Sequence, residues 1–208
     1  SDGVLLDFRH KADGERITGP IKSVKVNGAH GSGLSLRSSG LTLRGNILHD
    51  FGSSAIVKLY DRPGAAYDNI TFENNLVFDP INTGPTFSDL GEGNVFRNNT
   101  FICDVQLYAK AGKNLSGVTF TGNIATSVTS WTVEDLTSLK ASHNVLGWLI
   151  TRKPTYTVHT SYDAYADTLI LGKPASGVDP FAALFANAAG HDFRLAEGSK
   201  AIGFADPK

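Results

Sequence analysis

The chain of 208 residues is long enough for a substantial core. Its 19 basic and 20 acidic side chains leave a net charge of −1, which lacks the basic footprint of a nucleic-acid binder. No apolar run reaches the length of a membrane-spanning helix, and the single cysteine, Cys103, excludes an internal disulfide.

Residues 4–8 form one apolar stretch that reads as a strand, and a polar loop follows over 9–19. Residues 21–26 and 33–37 read as the first full coil of a repeat. From residue 41 the repeat is explicit. The stretches 41–50, 70–79, 94–103, 118–127 and 139–148 superimpose and share Asn46, Asn75, Asn99, Asn123 and Asn144. Asn27 fits as a further, short-spaced rung. The steps between the five asparagines are 29, 24, 24 and 21 residues, a period that signals a stacked array.

Each column of the repeat has a physical role. Three residues before the asparagine stand Leu43, Phe72, Phe96, Phe120 and Ala141. Five before stand Leu41, Ile70, Asn94, Val118 and Leu139, and two after stand Leu48, Val77, Phe101, Ala125 and Leu146. Apolar residues at alternate positions predict strands with one buried face. Immediately before the asparagine stand Gly45, Asn74, Asn98, Gly122 and His143, residue types that tolerate positive φ. Each repeat is therefore expected to run strand, left-handed bend, strand. The asparagine after the bend is expected to hydrogen-bond its equivalents one coil above and one below, as a ladder.

Residues 54–60 and 104–108 read as a second strand in their coils. The segments 61–68 and 80–93, rich in Gly, Pro and Asp, read as loops leaving the coil, where function tends to concentrate. Cys103, in a strand-rich stretch, reads as a small buried hydrophobe. Beyond Trp148 the repeat is lost, and 151–178 reads as irregular. Asp179, Pro180 and Asn187 carry start and stop signals for a short helix over 179–187. A strand over 191–195 and a turn at Gly198-Ser199 complete the chain.

The Asn-Ile-Thr-Phe-Glu-Asn-Asn run at 69–75, the Asn-Val-Phe-Arg-Asn-Asn-Thr-Phe run at 94–101 and the asparagine column resemble the right-handed parallel β-helix of the pectate-lyase-like superfamily. The resemblance covers roughly residues 20–150. The ending at 179–181 and 192–202 is similar to that of secreted β-helix proteins and is expected to close the core at that end. The resemblance implies an all-β, single-stranded solenoid with a C-terminal cap containing a short helix. The expected layout over 1–208 is an N-terminal edge (1–20), coils (21–150), and an irregular segment with the cap (151–208). No amphipathic cap helix precedes Val4. Upstream sequence or another chain is therefore expected to cover that end.

Arg44, Glu73, Arg97 and Thr121 form one outward column. Strand spacing of about 4.8 Å makes it a self-neutralising stack, and the alternative is a sugar-acid clamp by Arg44 and Arg97. Asp50 and Asp79 both stand four residues after a ladder asparagine. If the register holds, two carboxylates lie one coil apart and need a cation or a proton between them. His49, Lys58, Tyr60 and Arg62 stand on the same coil as Asp50. In the lyases of the superfamily a calcium ion or a basic residue offsets a uronate carboxylate, and Lys or Arg takes the proton beside it. In its hydrolases paired aspartates perform acid and base work. The stacked position of the two aspartates therefore makes Asp50, Asp79, His49, Lys58 and Arg62 the candidates for catalysis and Asp50 and Asp79 those for calcium, with Arg44, Arg97 and Tyr60 as candidate substrate contacts, although the chain shows neither the lyase nor the hydrolase motif cleanly. The alternative is that both aspartates end strands ahead of turns. Trp148, Tyr156, Tyr162 and Tyr165 read either as a sugar platform or as packing over an open core end. The expected function is a secreted or cell-surface protein that acts on or binds an acidic polysaccharide, as lyase or hydrolase. A non-catalytic β-helix scaffold, adhesin or tailspike-type module is the alternative.

Overall fold

The computed structural model describes residues 6–8, 34–36, 39–49, 57–59, 66–78, 84–160, 162, 165, 167–172 and 179–203; for 6–8, 34–36 and 57–59 only the backbone is described. The fold is all-β, a parallel β-solenoid of about 4 turns. One sheet stacks Thr42–Arg44, Thr71–Glu73, Asn94–Arg97, Val118–Thr121 and Lys140–Ser142, all parallel. A longer sheet stacks Leu6–Phe8, Leu34–Leu36, Val57–Leu59, Thr86–Leu90, Thr100–Ala109, Ile124–Ser130 and Val145–Thr151, also parallel. The short strands Ile47–Leu48 and Leu76–Val77 join it beside the start of Thr100–Ala109.

The bends between the two sheets follow from their residue types. Gly45, Asn74, Asn98, Gly122 and His143 all adopt the left-handed region, with φ of 68°, 53°, 53°, 65° and 53°. The asparagine after each bend turns inward and is at most 2% exposed in all five coils. Its amide is then completely used. In Asn99, Oδ1 accepts from the Asn75 backbone N–H (2.9 Å) and from Asn75 Nδ2 (3.0 Å). Its Nδ2 donates to the Phe72 carbonyl (2.8 Å) and to Asn123 Oδ1 (2.9 Å). An amide offers two donors and two acceptor sites, so nothing is left unpaired. The same pattern links Asn46 to Asn75 and Asn123 to Asn144. At Asn144 the next partner is Thr168 Oγ1, at 3.4 Å.

The core is a column of phenylalanines. Phe72, Phe96 and Phe120 repeat at 6.3 Å centroid spacing, with Phe87 and Phe101 packed against them. Asn94, the polar member of an otherwise apolar column, is fully buried and satisfied. It accepts from the Ile70 N–H and donates to the Tyr67 and Gly91 carbonyls. Cys103 is buried.

Four sequence expectations are corrected. The 80–93 segment does not simply leave the coil, because Thr86–Leu90 is a strand of the long sheet with Phe87 and Leu90 in the core. A Cβ at Gly84 would run into the Asp104 carbonyl oxygen, so glycine is what admits the chain there. The 151–178 segment contributes two strands, Thr157–His159, antiparallel to Val145–Thr151, and Leu169–Ile170, parallel to it. The helix expected over 179–187 is one 3-10 turn, Ala182–Leu184, followed by Phe185–Asn187, a strand paired antiparallel with Asp192–Leu195. Short helices are marginal on their own, and here packing of Phe181, Leu184 and Phe185 decides the conformation. Finally, this C-terminal segment does not close the core end. It lies along the flank, packed on Ile124 and Val145 and partly on Ile102, Leu169 and Leu171. The main core at that end instead takes in Leu136 of the α-helix Val133–Ser138 together with Tyr165, whose hydroxyl donates to the Leu136 carbonyl.

Candidate functional site

Arg44, Glu73 and Arg97 stand in register on adjacent strands, as the column predicts. Glu73 is 2% exposed and each of its carboxylate oxygens meets one arginine Nε. One buried carboxylate thus serves two half-exposed guanidiniums, and Thr121 continues the row with a hydroxyl contact to Ser142 (3.0 Å). The Glu73 contacts engage the Nε of each guanidinium, and one carboxylate offsets part of the two positive charges.

His49 stacks on Phe78, with centroids 4.7 Å apart and planes 5° apart. Phe78 also meets His191 and Phe193 of the C-terminal hairpin, both at 5.0 Å. The His49 ring is therefore part of the aromatic seam that seats the hairpin. Lys58 pairs in register with Ser35 and Thr86, on the row that continues to Gln106 and Thr129. Asp50, Asp79, Tyr60 and Arg62 lie outside the described residues, and so does the calcium site expected from the two aspartates. Among the described residues no group of three or more His, Cys, Asp or Glu side chains is arranged to hold a metal ion.

On the side away from the phenylalanine core the long sheet carries a polar network that the sequence reading did not single out; Gln106, Tyr108, Ser127 and Thr129 are buried in it, and Thr86 and Asp104 are half-buried. Asp104 Oδ1 accepts from Ser127 Oγ and Thr129 Oγ1, both at 2.7 Å, and Asp104 Oδ2 accepts from Gln106 Nε2 at 3.2 Å. Gln106 Oε1 in turn accepts from Tyr108 OH (3.0 Å) and Thr86 Oγ1 (3.3 Å). Burial pushes the Tyr108 phenol up to about 12, against a lowering pull from Arg152, so it stays a neutral donor. Asp104 enters this network through a slip in register. The strands pair Phe101 with Ala125, then shift, so that Asp104 and not Cys103 faces Ser127. The signal available in the sequence was the polar alternation Asp104, Gln106, Tyr108 opposite Ser127 and Thr129.

Of the aromatic residues proposed as platform or packing, Tyr165 is buried in the core and Tyr162 packs against it. Trp148 is half-buried, whereas Tyr156 is 66% exposed. A separate polar recess of about 640 Å³, lined by Asp68, Glu92, Lys110, Lys113 and Glu134 among others, lies on the side of the coils. Asp68 there is occupied in accepting the Glu92 N–H at 2.7 Å.

Compared with protein-family models, with curated proteins and with solved structures, the chain matches none.

Proposed function

We propose that this is a pectate-lyase-like β-solenoid of the cell exterior that engages an acidic polysaccharide along the outer face of its long sheet. The supporting observation is the row Thr86, Gln106 and Thr129 with Asp104 beside it, a hydrogen-bonded set of mostly uncharged polar groups with Lys58 in register. Gln106 and Thr129 are buried and hold the row in place, and the half-buried Thr86 and Asp104 are the members whose preset orientation suits a polyhydroxylated ligand. The resemblance of the asparagine repeats supplies the acidic substrate class. Catalysis as lyase or hydrolase is assigned to Asp50 and Asp79, with His49, Lys58 and Arg62 around them and calcium as the candidate ion.

A second reading, a non-catalytic β-solenoid module, is favoured by one observation. Two carboxylates of the coils are engaged within the protein: Asp104, beside the row, by three donors, and Glu73, on the other sheet, by two arginines. The discriminating experiment incubates the protein with a panel of uronate polymers, with and without calcium. Ultraviolet absorbance follows unsaturated product and reducing ends follow hydrolysis. Unsaturated product identifies a lyase, reducing ends without it a hydrolase, and retention of polymer without turnover the binding module. Neither turnover nor retention on any acidic polymer refutes the proposal.

A further inference from the structure

One end of the long sheet ends in a tier of rings and cations. Tyr108 is the last buried residue of its strand, and Trp131 follows Ser130 on the next coil. The two rings stack with centroids 4.4 Å apart and planes 21° apart. On the coil beyond, the Arg152 and Lys153 backbone N–H groups both donate to the Trp131 carbonyl, at 3.1 and 2.7 Å. That pins the start of the following turn against the tryptophan. The Lys153 ammonium then lies 4.8 Å from the Trp131 ring centroid. The Arg152 guanidinium lies 6.0 Å from both ring centroids.

The other three described arginines are all paired with carboxylates. Arg44 and Arg97 share Glu73, and Arg194 is held by Asp192. Arg152 and Lys153 are both exposed, and among the described residues neither has a carboxylate partner. Ring faces hold cations in place without neutralising them, so both keep their N–H donors for an outside anion. Trp131, 37% exposed, offers an apolar edge beside them. Two adjacent cations on an aromatic shelf match a sugar ring that carries an acid group.

We propose that Arg152, Lys153 and Trp131 form a subsite for the anionic group of an acidic sugar, carboxylate or sulfate ester, at the edge of the polysaccharide-binding face. The inference rests on the polysaccharide reading above and adds to it the residues that confer preference for acid-bearing sugars. The polar network meets the tier through Tyr108, whose hydroxyl bonds Gln106 while its ring stacks on Trp131. The tier is thereby tied to the network that carries the half-buried Thr86 and Asp104.

The test measures binding of polygalacturonate, dextran sulfate and neutral dextran by calorimetry and by intrinsic tryptophan fluorescence. The wild-type chain is expected to bind at least one of the two acidic polymers and not neutral dextran, and the stronger of them names the acid group. The double variant Arg152→Gln/Lys153→Gln is expected to lose roughly tenfold or more in affinity, the scale of a lost hydrogen bond to a charged group. A control double variant at the exposed Lys113 and Lys200 is expected to bind as wild type does. Should the Arg152/Lys153 variant misfold, Trp131→Phe is the second probe, and it should abolish the ligand-induced fluorescence change while Trp148 still reports folding. Acidic polymer bound equally well by wild type and the Arg152/Lys153 variant, or a fluorescence change that survives Trp131→Phe, overturns the subsite and leaves the polysaccharide reading standing. No acidic polymer bound by the wild type overturns both.

Discussion

Replacing Asn99 by alanine tests the element on which the coils are stacked. Asn99 is 1% exposed, and its amide makes the four hydrogen bonds described above. The consequences of truncation differ among the four partners. Asn75 Nδ2 keeps its bond to the Leu43 carbonyl, and Asn123 Oδ1 keeps the Asn99 backbone N–H, which alanine retains. The Phe72 carbonyl loses a donor, and the Asn75 backbone N–H loses its acceptor while remaining buried. One orphaned buried N–H, the weakening of the other three groups and a small void sum to about 2–4 kcal/mol. For a chain of this size that corresponds to a fall in Tm of roughly 5–15 °C. Thr168→Val supplies the comparison, because it removes only the long 3.4 Å contact at the last rung and is expected to cost less than about 1 kcal/mol. Thermal and urea unfolding of both variants measure the difference. An Asn99→Ala loss no larger than that of Thr168→Val would show that the asparagine column does not hold the coils together.

Other expected outcomes are more local. Glu73→Gln leaves two adjacent arginines without the charge they share and should destabilise by about 1–3 kcal/mol, a loss reduced by added salt, as urea unfolding at two ionic strengths would show. Thr132→Ala removes the side chain that caps the Val133–Ser138 helix and should cost about 0.5–2 kcal/mol, read as a shift in denaturation midpoint. Burial, reinforced by the neighbouring Asp104 carboxylate, pushes the Cys103 thiol up, so thiol-specific reagents at neutral pH should react only as the protein unfolds. The Arg194 guanidinium, through its side-chain hydrogen bond, lowers the Asp192 carboxyl to about 2. That depressed value means any stabilisation is present above the ordinary carboxylate range and lost as pH falls through about 2. The pair is exposed, so the effect on Tm should be small, whereas an NMR titration should show the Asp192 midpoint rise in Arg194→Gln.

The parts of the fold legible in the sequence were those where one residue type performs one backbone or packing task in every coil. The left-handed bends at Gly45, Asn74, Asn98, Gly122 and His143 required residues that tolerate positive φ, and the buried columns required apolar side chains at alternate positions. What was obscured had competing signals. Phe87 and Leu90 belong to a core strand, but the Gly and Pro residues around them carry the composition of a loop. The Val133–Ser138 helix is announced by Thr132 and Asp135, whose capping box is visible only when two turns of chain are weighed against the strand period on either side. The slip between Phe101 and Asp104 is a backbone irregularity without a residue signature, and it moves the outward carboxylate by one position. For the same reason, counting from the ladder does not transfer from Asp50 and Asp79 to the coil of Cys103. The flank position of the C-terminal hairpin was hidden because it is set by apolar side chains on the outer faces of several coils, Ile102, Ile124, Val145 and Leu171, far apart in sequence.

The measurement that bears most directly on the functional account is affinity electrophoresis of the wild-type chain through gels containing polygalacturonate, dextran sulfate or neutral dextran. Retardation by an acidic polymer, lost at high salt and absent with neutral dextran, is the predicted result, since the exposed Arg152 and Lys153 adjoin a face otherwise built of polar, self-satisfied groups. Equal mobility in all three gels at low salt would contradict it.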